Sequence, residues 1–582
     1  MSAPSETQVV FVGSGINSLV GAALLAVRGK RVLVLERNDR LGGCIRTEEL
    51  FPGYRHEVFS SWHPLFVGSP GYAELKSELE QAGLEVLCGD YSTGLVGPDR
   101  EGLALRQDMA DAARRLDALS PGDGQALQDM AARMFGEDAA LTFGLLGKNP
   151  YSWDLLKLLY SEWRKRGLDG MTAFAAGALE NFRRWSERTL RSDAARADRA
   201  LDPAFRPGAG RCRFGADRQA DLAAVVSGGM PVIKGGGSRL VEALARVIEN
   251  RGGQLLTNAQ VDRVLVEGQG RRARAAGVQL ADGHRVRARD AVVCNVTPQQ
   301  LYGQLLPDAP PPARERAQAY RYGRGCMQLH FALNAPPAWM EPELVKVPLV
   351  HLTESLEQVC ASVTEANNGL LPARPTLAIG QPVAVDPSRA PDGGWILWIQ
   401  MQEMPARLKG DAAGQIDTPA DGRWNEAVRE AYADRVQARL ERVMPGLAER
   451  IVAAAAPTRL RPGGAELQPG RRRSVLGHLL ARPVLLAAPL RQRRRRARPP
   501  HAGRRPVSHR RVHPPRSRTG RGLGHAGRPG DRAEIAARRP GPCHTFRRAD
   551  PSARPGPRAS SAHQGRRAPR QPVAVPTTTH RG

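Results

Sequence analysis

Apolar positions change period twice within the first fifty residues. Val9 to Val12 is an unbroken apolar run of buried-strand type, Leu19 to Val27 is an apolar helical run, and Arg31 to Leu35 returns to the strand type. Gly13-Ser14-Gly15 turns the chain into the helix, and Gly29 stops it. The pattern predicts one βαβ unit within Gln8 to Thr47, QVVFVGSGINSLVGAALLAVRGKRVLVLERNDRLGGCIRT, and an α/β fold class.

Further along, the period stays helical for a long stretch. Residues 72 to 195 carry few strand signals; Asp108 to Leu119, Gly124 to Phe135 and Trp153 to Lys165 repeat apolar residues at three- and four-residue spacing. A helical insertion covering a cavity is expected, with Met130, Met134, Phe135, Leu155, Leu158 and Leu159 as ordinary core. Strand signals then return around a second glycine-rich turn. Gly228-Gly229-Met230-Pro231 and Lys234-Gly235-Gly236-Gly237-Ser238 precede an amphipathic helix, Arg239 to Asn250, closed by Gly252-Gly253. Gln254 to Thr257 and Val261 to Val266 read as strands, Ala275 to Val286 as a hairpin turning at Asp282-Gly283, and Arg289 to Cys294 as a buried strand. Beyond residue 320, Met327 to Leu333 and Trp395 to Gln402 alternate as strands. HLTESLEQ at His351 and DPSRAPDGG at Asp386 read as polar loops, and Trp424 to Val443 as a long helix.

Charge changes the picture only at one end. The 582 residues carry a net +27, which by itself points to nucleic acid, yet Thr458 to Gly582 holds 31 Arg, no Lys and 4 acidic residues. The remaining 54 basic and 54 acidic residues balance, so the folded part is neutral. Phe546 is the one aromatic residue in that tail. Such a composition cannot bury enough apolar surface to offset an ordering entropy of about 1 to 2 kcal/mol per residue, and disorder is expected over 458 to 582.

Cysteine usage excludes two function classes. Cys44, Cys88, Cys212, Cys294, Cys326, Cys360 and Cys543 form no CxxC or metal-type cluster, against disulfide exchange and structural zinc and in keeping with a reducing compartment. No apolar run reaches the roughly 20 residues of a membrane span, and the first eight residues lack a basic leader. A cytoplasmic protein is expected, soluble or peripheral to a membrane.

The chemistry lies in the first turn. Gly13 allows a positive φ, and Gly15, without a Cβ, allows a diphosphate to approach the backbone of Ser14, Ile16 and Asn17 at a helix N-terminus carrying about half a positive charge. Ser18 stands where the fingerprint has its third glycine, and Gly21 on the same face is expected to leave it room. Glu36, 21 residues beyond Gly15, is placed to accept hydrogen bonds from a ribose and to repel a 2'-phosphate. A dinucleotide is therefore expected.

The following segment, RNDRLGGCIRT, carries Arg37, Gly42-Gly43 and Arg46-Thr47, and resembles the second signature of the flavin-containing amine oxidase superfamily in its phytoene desaturase-like branch. The resemblance implies FAD, with the paired glycines beside its ribose and diphosphate, the backbone near Val261 beside its adenine, and Trp62 and His63 lining its site, the equal alternative for that pair being a core Trp with a hydrogen-bonded His. It also implies an FAD-binding Rossmann domain in separated pieces, 1 to 71 and 228 to 319, with a mixed α+β substrate domain inserted as 72 to 227 and 320 to 457. The implied activity is an FAD-dependent oxidoreductase passing hydride from a small apolar substrate to flavin. No side chain stands out as a catalytic base, and the second glycine-rich turn is expected to serve helix packing rather than phosphate.

The tail has three candidate origins: a nonspecific nucleic-acid arm, a membrane-surface tether, or a shifted reading frame. Read one base later, codons for Val507 to Gly524 can spell YHIGASTHPGPGLGAGSG, and those for Arg473 to Pro489 can spell DPYSGTCSLDQFFLRP. Both strings resemble the C-terminal signature of the same superfamily, so a frameshift between about Ala456 and Arg472 is expected, with loss of a segment that covers the flavin. A nucleic-acid-binding protein or a catalytically silent interaction protein are the competing functions. The tail's lack of interleaved aromatics makes any nucleic-acid binding nonspecific.

Overall fold

The first strand, β1 (Glu6–Val12), sits near the middle of a largely parallel sheet because every position from Val9 to Val12 is buried, as a strand covered on both faces requires. The structure, a computed structural model, describes residues 3–97, 100–148, 151–180, 182–192, 229–455 and 484–485. Apart from Val484–Leu485, a two-residue strand antiparallel to Arg285–Cys294, the expected tail 458–582 lies outside the described residues, as do 193–228 and Cys212.

β1 leads into α1 (Ile16–Val27), which returns the chain to β2 (Val32–Leu35). β1 pairs in parallel with β2, Val10 opposite Leu33, and on its other side with Arg285–Cys294, Val10 opposite Val292. Gln254–Leu256 adds in parallel beyond β2, while Arg274–Leu280 and Val261–Glu267 extend the other edge as antiparallel strands. Period-two alternation splits β1 between two cores. Val9 and Phe11 pack with α1 and the helix Ser238–Asn250 through Leu19, Ala23, Leu240 and Leu244. Val10 and Val12 face Val264, Val278 and Val292 on the opposite side. The predicted hairpin strand and the predicted buried strand after it are one ten-residue strand, since Arg285 to Cys294 leaves the Asp282-Gly283 turn without interruption.

A second sheet runs in the order Ile451–Ala455, Gly325–Leu333, Trp395–Met404, Leu377–Gly380, Leu349–Leu352, Tyr91–Gly97, Arg100–Arg106. The helix Glu426–Glu441, started by the Asn425 side chain on the Val428 amide, buries Val428, Tyr432, Val436 and Leu440 against it. Three expectations need correction here. The hairpin Tyr91–Gly97 and Arg100–Arg106 lies inside the stretch read as helical, and it adds two strands to the sheet built by the second part of the substrate domain. HLTESLEQ is not a loop: His351 and Leu352 end a buried strand, and Ser355 caps the helix Leu356–Asn367. The helix from Trp153 continues to Leu179 through a kink at Gly167, where φ is +68°.

The predicted helices at 108–119 and 124–135 form as Met109–Leu119 and Asp123–Ala132, the latter extended by a π turn, Arg133–Glu137. No helix among the described residues is long and apolar enough to cross a membrane.

Candidate functional site

The C-terminal ends of the parallel strands converge on the turn after β1. Gly13 has φ +89°, and its amide donates to the Leu35 carbonyl at 2.8 Å, so the turn folds back over the end of β2. Gly15 is pressed from two sides. A Cβ on it would lie 2.8 Å from Asn295 Nδ2, and one on Gly43 would lie 3.2 Å from the Gly15 Cα. Gly15 and Gly42 form a parallel bridge, which ties the paired glycines of the second signature to the first turn. Gly15 caps α1 without a side-chain hydrogen bond, and the first turn of α1 carries no acid. The positive end of the helix dipole favours an anion beside it.

Glu36 is buried at the end of β2 and its carboxylate is fully subscribed. Oε2 accepts from the Ser14 amide at 2.9 Å and the Ser14 hydroxyl at 2.6 Å, and Oε1 from the Asn38 amide at 3.0 Å and the Asn38 side chain at 2.8 Å. Those four contacts use the acceptor sites a carboxylate has. A ribose hydroxyl therefore reaches Glu36 by displacing the Ser14 hydroxyl or the Asn38 amide group, both of which rotate, rather than by meeting an idle oxygen.

A cavity of about 420 Å³ joins this turn to the second sheet. Of the residues expected to hold the dinucleotide, Gly13, Ser14, Gly15, Ile16, Asn17, Glu36, Arg37, Gly42, Gly43 and Val261 all line it. Arg46 does not; its guanidinium is taken by Glu48 beside it, with Nε at 2.6 Å. Trp62 and His63 line the cavity as the resemblance implies. The Trp62 ring meets Trp398 edge-on at 5.3 Å, and Gly380 has no Cβ where Trp62 lies, since one would come within 2.1 Å of its ring. His63 is buried with no hydrogen-bond partner for Nε2, and burial lowers its pKa to about 4. The imidazole is neutral at any ordinary pH.

Asn295, Gln260, Met230, Leu349, Trp398 and Gln400 also line the cavity and were not expected. Asn295 had a signal in the sequence, because it follows a buried strand that pairs with β1. Trp398 and Gln400 had none beyond alternation along their strand.

Residues 19–394 match the sequence model of a family described as flavin containing amine oxidoreductase. The chain belongs to that family. Its members' cofactor is FAD, and the protein is an FAD-dependent oxidoreductase. Pyridine nucleotide-disulfide oxidoreductase domain-containing protein 2 of Mus musculus is 26% identical over 77% of this chain and 80% of its own length. The neurosporene-forming phytoene desaturase of Cereibacter sphaeroides is 26% identical over 77% and 81%. Among solved structures, cyclohexylamine oxidase from Brevibacterium oxydans covers 78% of this chain and 84% of its own at 16% identity, with a TM-score of 0.44.

The residues of this flavoprotein fit FAD on one arrangement: the glycine turn, the N-terminal end of α1, the paired glycines and Glu36 all line a single cavity. The second glycine-rich turn offers no such place. The Gly235 amide donates to Asp386 at 2.7 Å, the Gly237 amide to Glu57 at 2.7 Å and the Ser238 amide to the Thr47 hydroxyl at 3.0 Å. Glu57 in turn pairs with Arg389 at 3.0 Å, both almost wholly buried. Burial raises the Glu57 pKa, and the Arg389 charge and these hydrogen bonds oppose the rise. Lys234 is an exposed lysine paired with Glu85.

The oxidoreductase accommodates Ser18 differently from expectation. Ser18 is itself buried, its hydroxyl has no partner, and the missing Cβ of Gly21 faces the Phe11 ring at 3.4 Å. Gly21 therefore faces Phe11 rather than Ser18.

Proposed function

We propose that the protein oxidises a small, apolar, uncharged substrate by removing hydride from a C–H bond, as a desaturase or dehydrogenase does. The observation that carries this is the wall of the cavity beyond the glycine turn. It is built from Trp62, Trp398, Met230 and Leu349, with Gln400 as a neutral polar point. Among the described lining residues the charged ones, Glu36 and Arg37, both lie at the end of β2. An ammonium group would find no carboxylate at the far wall, whereas an apolar chain meets mainly ring and aliphatic carbon there.

The residues then divide the work. Gly13 to Asn17 and α1 receive the diphosphate, Glu36 takes the ribose, and Trp62 and Trp398 orient the substrate and keep water from it. FAD, when bound, supplies the acceptor for the electron pair of the broken bond. His63, held neutral, contributes a hydrogen-bonding edge and no charge. No specific nucleic acid enters this function.

In the shifted frame, the tail lacks the glycine-rich loop and final helix that the superfamily resemblance implies beside the flavin, so this chain holds FAD weakly. Restoring the frame after about Ala456 should raise retention; unchanged retention contradicts this part.

The main test is anaerobic. FAD-reconstituted protein is mixed with apolar alkenes and, separately, with primary amines while the visible flavin absorbance is followed. Bleaching by the apolar compounds alone is expected; bleaching by amines alone would overturn the reading.

A further inference from the structure

A second cavity, of about 290 Å³, shares no lining residue with the first and takes no part in the function proposed above. Its volume is close to the roughly 300 Å³ at which small-molecule sites begin. Its chemistry is the reverse of the first: Arg55, Lys234, Arg239 and Arg246 line it together with Glu85 and Glu242, and Ala82 is its one apolar side chain among the described lining residues.

The charges do not cancel. Lys234 lies 2.9 Å from Glu85 and Arg239 3.0 Å from Glu242, which leaves two cations over. Arg246 donates to the Ala82 carbonyl at 2.9 Å, and neither it nor Arg55 has a carboxylate partner among the described residues. In a folded part that is neutral overall, this is a local excess of positive charge.

The fold gathers that excess from separate places. Arg55 comes from the strand Tyr54–Glu57, Lys234 from the second glycine-rich turn, and Arg239 and Arg246 stand about two turns apart on the helix Ser238–Asn250. Each support is fastened. Arg389 Nε donates to the Arg55 carbonyl at 3.0 Å, the Lys234 amide to the Glu85 carbonyl at 3.1 Å, and the Gly235 amide and the Ser388 hydroxyl to Asp386 at 2.7 and 2.6 Å. Like charges held together cost free energy that an anion between them offsets.

The side chains, not the turn, select the anion, because the amides of Gly235, Gly237 and Ser238 are already donated within the chain. An unmatched guanidinium offers the forked donors that fit a phosphate. The two ion pairs have side chains about half exposed, 50 and 55% in one and 54 and 46% in the other, so they contribute little and their cations turn readily to a stronger anion. The rest of the wall, with the Ser388 hydroxyl and two carboxylates, suits hydroxyl groups rather than carbon.

We infer that this cavity binds a small hydrophilic phosphate monoester, its phosphate drawn to the guanidinium groups of Arg55 and Arg246 and its hydroxyls to Glu85, Glu242 and Ser388. The ligand is bound and not transformed. The site stands independently of the substrate assigned to the first cavity.

The test titrates the full FAD-reconstituted chain by calorimetry at about 0.15 M salt, with glucose 6-phosphate, inorganic phosphate and glucose as probes. Glucose 6-phosphate should bind saturably at one site and more tightly than inorganic phosphate, and glucose should not bind. Arg55→Gln with Arg246→Gln should weaken the monoester more than tenfold. Glu85→Gln with Glu242→Gln, which removes the competing charges and keeps an acceptor oxygen at each place, should tighten it about threefold. Both variants should keep the parent's FAD binding, and the opposite signs separate the cavity from the Arg-rich tail, which is the same in every sample. No saturable binding in the parent, equal affinity in the arginine variant, weaker binding in the glutamate variant, or inorganic phosphate binding as tightly as the monoester would each overturn the inference.

Discussion

Two glycine-rich turns precede two helices, α1 and Ser238–Asn250, that pack together on one face of the same sheet, and the first of them opens onto the dinucleotide cavity while the second does not line it. At Gly235 to Ser238 the amides are taken by Asp386, Glu57 and Thr47, delivered from distant parts of the chain. At Gly13 to Gly15 the Gly13 and Ser14 amides are taken too, by the Leu35 carbonyl and Glu36, but the turn and the start of α1 line the cavity. The lesson is that a glycine-rich turn before a helix becomes a ligand site only where the rest of the chain leaves a cavity against it. Local sequence makes both turns possible, and tertiary contacts choose between them.

The sharpest way to break the comparison is to attack the closed turn. Arg389→Ala leaves the Glu57 carboxylate buried without its counter-charge, and stability should fall by about 3 to 5 kcal/mol. Urea unfolding reads this directly; a loss below about 1 kcal/mol would mean that the pair does not hold the turn shut.

Acid should act next. His63 lies between the two turns, lining the cavity with its Nε2 3.2 Å from where a Gly237 Cβ would be, and His330 is buried in the second sheet. Burial lowers both pKa values to about 4. Folded and unfolded rings are alike neutral above about 6.5, so neither contributes pH dependence there. As pH falls from about 6.5 towards 4 the unfolded rings protonate first, and each should withdraw roughly 3 kcal/mol of stability. The raised pKa of Glu57 acts with the opposite sign, favouring the folded state as that carboxyl protonates. Unfolding midpoints at neutral and mildly acid pH should differ in the parent and differ less in His330→Asn; equal slopes would contradict the assignment.

At the open turn the effect should fall on binding. Glu36→Ala removes the acceptor of the Ser14 and Asn38 donors as well as of the ribose, and FAD affinity should drop roughly ten- to a hundredfold. A flavin fluorescence titration measures it, and a variant that loses stability but keeps affinity would show Glu36 to be only a strut. The smallest effect belongs to Ser18. Ser18→Ala removes a buried hydroxyl that has no partner and should stabilise by roughly 1 kcal/mol, leaving FAD binding unaltered.

The first βαβ unit was legible because its signals are local: an apolar run, a turn that needs positive φ at Gly13, and an acid at the end of β2. Ten of the eleven residues assigned to the dinucleotide line one cavity for the same reason. Arg46 went to Glu48, a choice between neighbouring partners that spacing does not encode. The hairpin Tyr91–Gly97 and Arg100–Arg106 was hidden because its strands gain their place from pairing with Leu349–Leu352, some 250 residues later. Trp398 and Gln400 were hidden for a related reason: alternation tells that a strand has two faces, and only packing tells which one meets the cavity.

The central claim is that the turn after β1 is the cradle of the adenine dinucleotide, and one titration addresses it. FAD is added to the parent chain and to Gly15→Val, whose side chain would grow from a Cβ 2.8 Å from Asn295 Nδ2, and flavin fluorescence is followed with and without ADP as competitor. Saturable binding in the parent, displaced by ADP and absent from Gly15→Val, is the predicted result. Binding of equal strength in Gly15→Val, or no competition by ADP, would contradict it.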